Sequence, residues 1–195
     1  IAMFACATRL QGLVLIPTIM IEFWLHRKEV KLRQIFWLSV IPLGFVSYLL
    51  INWMVTGNPV EFLDIQRVHF YHHNILPTKQ LWDTINNILF NKPSEMRLTL
   101  DEGRLVAVLI TSVLLLISIK WLRISYQFYA WSQLIILLTD SWLMSLPRYI
   151  LAIFPLFIVL ARITKKPEVF QALSIISFAL MTALYCLYVA GNWAF

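Results

Sequence analysis

Charge is scarce in this chain: Asp, Glu, Lys and Arg make up 13% of its 195 residues, roughly half the share carried by soluble globular domains. With 60% hydrophobic residues and a mean hydropathy of +0.75, the chain is no ordinary water-soluble domain. Cysteine is limited to Cys6 and Cys186, both in apolar surroundings, and no C-x-x-C pair points to zinc or dithiol chemistry. A disulfide between the two stays open. Glycine is also rare, and the chain has no Walker loop, dinucleotide fingerprint or G-x-S-x-G elbow, which excludes the common soluble nucleotide-binding and hydrolase signatures. There is no N-x-[ST] sequon, internal repeat or low-complexity tract, and therefore no second domain to propose. The net charge of +6 comes from basic residues in short clusters between apolar runs, a distribution that argues against nucleic acid as a partner.

What is present is apolar sequence in long runs. Six segments stand out, at about 10–25, 35–55, 105–121, 124–139, 149–161 and 169–190. The fold class this predicts is all-α, a polytopic bundle of about six transmembrane helices forming a single membrane domain over 1–195. The second and sixth runs are long enough to span. The run from Tyr149 to Ala161 covers only about 20 Å of a hydrocarbon core about 30 Å thick, so its helix begins inside the membrane or takes in Pro147 and Arg148. The chain opens Ile1-Ala2-Met3 and its first apolar stretch lacks the basic region and cleavage site of a signal peptide; it is read as a piece missing its N-terminus.

The connections 26–34, 120–123 and 162–168 hold nine of the 16 Lys and Arg residues, which places them in the cytoplasm by the positive-inside rule. The long 56–104 connection and the 140–148 loop then face the other side. Within the long connection, Leu81, Trp82, Ile85, Ile88 and Leu89 share one helical face with Asp83, Asn86 and Asn87 opposite, which predicts an amphipathic helix in the membrane interface.

Arg148, Arg9 and a carboxylate within 57–73 are candidates for substrate contact. Arg148, in Ser145-Leu146-Pro147-Arg148-Tyr149, stands at the outer mouth of a short helix, where a guanidinium is costly without an anion or a cavity. A lipid-linked phosphate suits its planar, permanently charged fork; an arginine snorkelling to headgroups is the alternative. Phe154-Pro155 further on frees a backbone carbonyl and favours a kink. Arg9, beside Gly12, is a second phosphate or sugar ligand or else an interfacial charge. Gly57 to His73 is the most polar and aromatic passage; it opens with a turn and continues in helix-compatible residues, with Asp64 and Arg67 able to pair at i, i+3. A carboxylate there suits a general base or acceptor contact, against the plain alternative of a solvated helix. The His69, His72 and His73 cluster lacks the partners of a metal motif, so no metal or other cofactor is assigned. Glu95, Asp101 and Glu102, with Arg97 and Arg104, read as a solvated, self-paired approach to the third apolar run.

Three passages in order resemble the C-terminal half of the PIG-V-like mannosyltransferases, which are polytopic GT-C enzymes. They are Thr8-Arg9 with Gly12; Gly57-x-Pro59-x-x-Phe62-x-x-x-Gln66; and Ser145-x-Pro147-Arg148-Tyr149 followed by Phe154-Pro155-Leu156-Phe157, with Gly191-Asn192-Trp193 at the end. His69 stands where the family pattern has Trp. The resemblance implies transfer of a hexose, usually mannose, from a polyprenyl-phosphate carrier to a lipid or glycan acceptor on the extracytoplasmic or lumenal face, with inversion at the anomeric carbon. It implies Arg148 and Arg9 as phosphate ligands, Gln66 and Tyr149 as hydrogen-bonding neighbours, and Asp64 or Glu61 as acceptor contacts. It places the acidic residue that serves as catalytic base in an early outer loop, upstream of Ile1. It also implies a multi-pass protein of a bacterial or archaeal plasma membrane, or of the endoplasmic reticulum. A secondary transporter and a non-catalytic subunit of such a transferase are the competing readings.

Overall fold

The computed structural model describes residues 1–8, 10–29, 34, 36–69, 75–90, 102–139 and 146–191. Among them the secondary structure is entirely helical. Helix α1 (Ala2–Thr8) leads through a 3-10 turn (Leu10–Val14) into α2 (Leu15–Leu25). A second 3-10 turn (Trp37–Val40) leads into α3 (Ile41–Thr56), where Pro42 sits in the first helical turn and its missing N–H costs nothing. The short α4 (Glu61–His69) and α5 (Pro77–Phe90) follow. Next come α6 (Gly103–Ser118), α7 (Ile124–Leu138), α8 (Leu146–Ile150), α9 (Pro155–Ile163) and α10 (Pro167–Val189).

Among the described residues two helical stretches are long and apolar enough to cross a membrane: Trp37–Thr56, with 20 residues, and Pro167–Val189, with 23. These are the second and sixth apolar runs. The others are shorter than the six-span expectation. The first run is divided between a 3-10 turn and the 11-residue α2. The third and fourth become α6 and α7, of 16 and 15 residues, about 24 Å or less at 1.5 Å per residue. The fifth is two pieces, since the helix that takes in Pro147 and Arg148 ends at Ile150 and a new one begins at Pro155.

The core lies between α6, α7, α8 and α9. Val108 and Leu115 of α6 meet Ala130, Leu134, Leu137 and Leu138 of α7, with Leu146, Ile150, Ile153 and Leu156 from the broken helix. Around it, α2 packs on α7, and α5 lies across α6 and α7. A second group joins α1 closely to α3 and seats α4 on α3. Gly44 makes the first of these contacts possible, since a Cβ there would run into the Met3 carbonyl. The 3-10 turn at Leu10–Val14 touches both groups. Helix α10 has no buried residue.

The helix predicted within 81–89 is present as α5. Gln80 and Thr84 are buried and Leu81 packs on the core, while Trp82 and Leu89 of the predicted apolar face are exposed. Thr84 tolerates burial because its hydroxyl donates to the Gln80 carbonyl at 2.9 Å. Cys6 and Cys186 are both free thiols, the first buried and the second exposed.

Candidate functional site

Arg148 and Tyr149 are held by α8. Leu146 and Ile150, one helical turn apart, are buried in the core and fix the helix, so that Arg148 between them is exposed. Tyr149 packs against the core, and the Arg148 guanidinium carbon lies 5.4 Å from the centroid of its ring. That contact limits the rotamers of a long side chain whose guanidinium stays accessible at the surface.

Below this pair the helix is broken. The peptide N–H groups of Ala152 and Ile153 still reach back to the carbonyls of Tyr149 and Ile150, at 3.1 and 2.9 Å, but the Phe154 N–H turns to the Ala152 carbonyl. Pro155 has no N–H to offer and starts α9 at its first turn. The Tyr129 hydroxyl from α7 also donates to the Ala152 carbonyl, at 3.2 Å. The rings of Tyr126 and Tyr129 lie 5.4 and 5.2 Å from that of Phe154. The break is thus a packed and hydrogen-bonded feature, and the Phe154-Pro155 signal in the sequence identifies it.

Asp64 and Gln66 are exposed on α4, which is seated on α3 by an edge contact between Phe62 and Tyr48, with ring centroids 5.2 Å apart. The start of α4 is tightly specified. Gly57 ends α3 with φ 78°, a left-handed conformation, and its N–H reaches the Trp53 carbonyl at 2.9 Å. The Asn58 side chain then accepts the Val60 N–H at 3.1 Å and donates to the Glu61 carboxylate at 3.0 Å. Glu61 therefore braces the turn. Asp64 and Arg67 make no ion pair with each other.

The described candidate residues do not form one packed cluster. Helix α4 rests on α3, whereas α8 rests on α6 and α7. Arg9, His72, His73, Glu95, Arg97, Asp101, Ser145, Asn192 and Trp193 lie outside the described residues. Among the described residues no group of three or more His, Cys, Asp or Glu side chains is placed to hold a metal ion.

One polar cluster escaped the sequence reading. Glu22, within α2, accepts a hydrogen bond from the Ser125 hydroxyl at 2.5 Å and one from Arg123 at 3.1 Å, and His26 lies 3.5 Å away. The cluster ties the end of α2 to the start of α7. A carboxylate inside an apolar run was the available signal, because such a group needs a partner. A buried Gln133 similarly donates to the Gln11 carbonyl at 2.9 Å, joining α7 to the first 3-10 turn.

No protein-family model, curated protein or solved structure matches this chain.

Proposed function

We propose that this chain contributes the donor-phosphate side of a GT-C type membrane glycosyltransferase. The enzyme would transfer a hexose, mannose by the motif resemblance, from a polyprenyl phosphate to a lipid or glycan acceptor on the extracytoplasmic or lumenal face. The observation that carries the reading is Arg148: exposed, stacked on Tyr149, and standing at the head of a helix that breaks within the bundle. In this reading the shorter apolar helices complete a bundle of about six crossings, with the basic turns in the cytoplasm.

The chemistry asked of these residues is electrostatic. As the acceptor hydroxyl attacks the anomeric carbon, the bond from that carbon to the phosphate oxygen breaks and negative charge grows on the departing phosphate. A guanidinium already aimed at that charge stabilises the transition state more than the ground state. Tyr149 orients it, Arg9 is a second phosphate ligand, and Asp64 and Gln66 are acceptor contacts. The base that takes the hydroxyl proton is not assigned among these residues.

The test is transfer of labelled mannose from polyprenyl-phosphate mannose in membranes carrying the native protein or its Arg148→Ala variant. A lost charge-assisted contact of about 2–3 kcal/mol corresponds to a rate lower by roughly 30- to 150-fold, with Arg148→Lys retaining part of it and membrane insertion unchanged. Equal transfer rates overturn the role. A transporter is the second reading, favoured by the helix break at 151–154, since discontinuous helices line transport sites. Mannolipid-independent solute flux in proteoliposomes, without sugar transfer, would decide for it.

A further inference from the structure

Three turns of the chain meet at one end of the helix bundle. The turn after α2 carries Arg27 and Lys28, the turn between α6 and α7 carries Lys120, and the turn between α9 and α10 carries Lys165 and Lys166; all five are exposed. Two further arginines bring the turns together and are occupied in doing so. Arg123 donates to Glu22 at 3.1 Å, joining the first turn to the second, and Arg162 donates to the Trp121 carbonyl at 3.1 Å, joining the second to the third.

The carboxylates on these segments are Glu22, Glu29 and Glu168. Glu22 is taken by Arg123 and Ser125. None of the five outward cations has a carboxylate partner among the described residues. Trp24 and Trp121 are exposed on the same segments, the residue type that settles at the headgroup level of a bilayer. Clustered cations repel one another unless an anion lies between them, and cations beside exposed indole rings fit a surface that is anionic outside and apolar just beneath.

We propose that this end of the bundle is a docking surface for anionic phospholipid headgroups, with Lys120, Lys165 and Lys166 as the central phosphate contacts and Arg27 and Lys28 at the margin. The proposal rests on the membrane placement given above and not on sugar transfer. Arg123 and Arg162 act as braces that set the spacing.

The test uses the full protein in neutral detergent, titrated with dioleoyl phosphatidylglycerol or dioleoyl phosphatidylcholine while its melting midpoint is followed. The expected result is a rise with the anionic lipid and none with the zwitterionic one. The triple variant Lys120→Gln, Lys165→Gln, Lys166→Gln should bind the anionic lipid about 100-fold more weakly, or about fivefold for each lysine removed. Its midpoint without lipid should be unchanged, and Lys79→Gln, on α5, should behave as the parent does. If the triple variant melts lower without lipid, the single variants supply the reading at about fivefold each. Equal responses to the two lipids, an undiminished anionic response in the lysine variants, or the same shift with inorganic phosphate would overturn the proposal. Extraction of the protein from membranes by alkaline carbonate would instead overturn the membrane placement itself.

Discussion

Gly44 and Gly57 are kept small for unrelated reasons, and the same substitution separates them. At Gly44 a Cβ would meet the Met3 backbone carbonyl, and backbone cannot swing aside as a flexible side chain can. At Gly57 nothing lies within 4 Å, but φ is +78°. Gly44→Ala gains up to about 1 kcal/mol of helix propensity, yet forcing α1 away from α3 costs more, on the order of 1–3 kcal/mol. Gly57→Ala loses about 1–2 kcal/mol through strain at the residue itself. Thermal melts in detergent should therefore show both variants lowered, with exposure of the buried Cys6 thiol to maleimide only for Gly44→Ala. A Gly44→Ala protein that melts higher than its parent would contradict the close helix approach. Gly57 was legible because Gly-Asn-Pro after an apolar run marks a turn; Gly44 was not, since its neighbour α1 is far away in sequence and only tertiary structure brings the two together.

Glu22 shows the same limit for charge. Its apolar setting demanded a partner, but Arg123 and Ser125 lie 101 and 103 residues away. The two contacts should differ in weight. Arg123 is largely exposed, with 69% of its side chain accessible, so its coupling to Glu22 should be about 0.5 kcal/mol or less after solvent screening. Ser125 is buried, and a hydroxyl bonded to a carboxylate contributes more, about 1.5 kcal/mol. Double-mutant cycles on the melting free energy, pairing Glu22→Gln with Ser125→Ala and then with Arg123→Gln, measure both. A larger coupling to Arg123 would reverse the assignment.

Among the elements, the broken helix carries the most information. Pro155 declares that an intrahelical hydrogen bond is missing, and Phe154 beside it was part of the motif resemblance. What the sequence could not specify is how the bend is held, because Tyr129 comes from another helix. With the Tyr129 hydroxyl removed, the Ala152 carbonyl keeps only the Phe154 N–H. Tyr129→Phe should then cost about 1 kcal/mol, read as a lowered melting midpoint with helical circular dichroism unchanged. No loss would mean that the Phe154 packing alone holds the bend. Helix α5 teaches the complementary lesson. Its existence was legible from apolar spacing, but the burial of Gln80 and Thr84 was not, since that depends on α6 and α7 packing against it.

For the whole molecule, hydropathy and packing describe different things. A run of apolar residues reads the same whether its neighbours are helices or lipid, which is why six runs were visible while, among the described residues, only Trp37–Thr56 and α10 have the length to cross. Helix α10 is the extreme case: none of its 23 residues is buried, and Phe178, Met181, Tyr185 and Tyr188 are exposed on it. If protein contacts do not stabilise α10, its removal should not destabilise the rest. A chain ending at Lys166 should melt within about 0.5 kcal/mol of its parent in detergent, the range expected where no packed contact is lost, and should protect Cys6 from maleimide equally well. Apolar burial contributes about 25 cal/mol per Å², so a drop of 2 kcal/mol or more would require roughly 80 Å² of hidden apolar contact, enough to show that α10 packs on the bundle. The core of α6 to α9 would otherwise stand by itself, with α10 held in place by lipid alone.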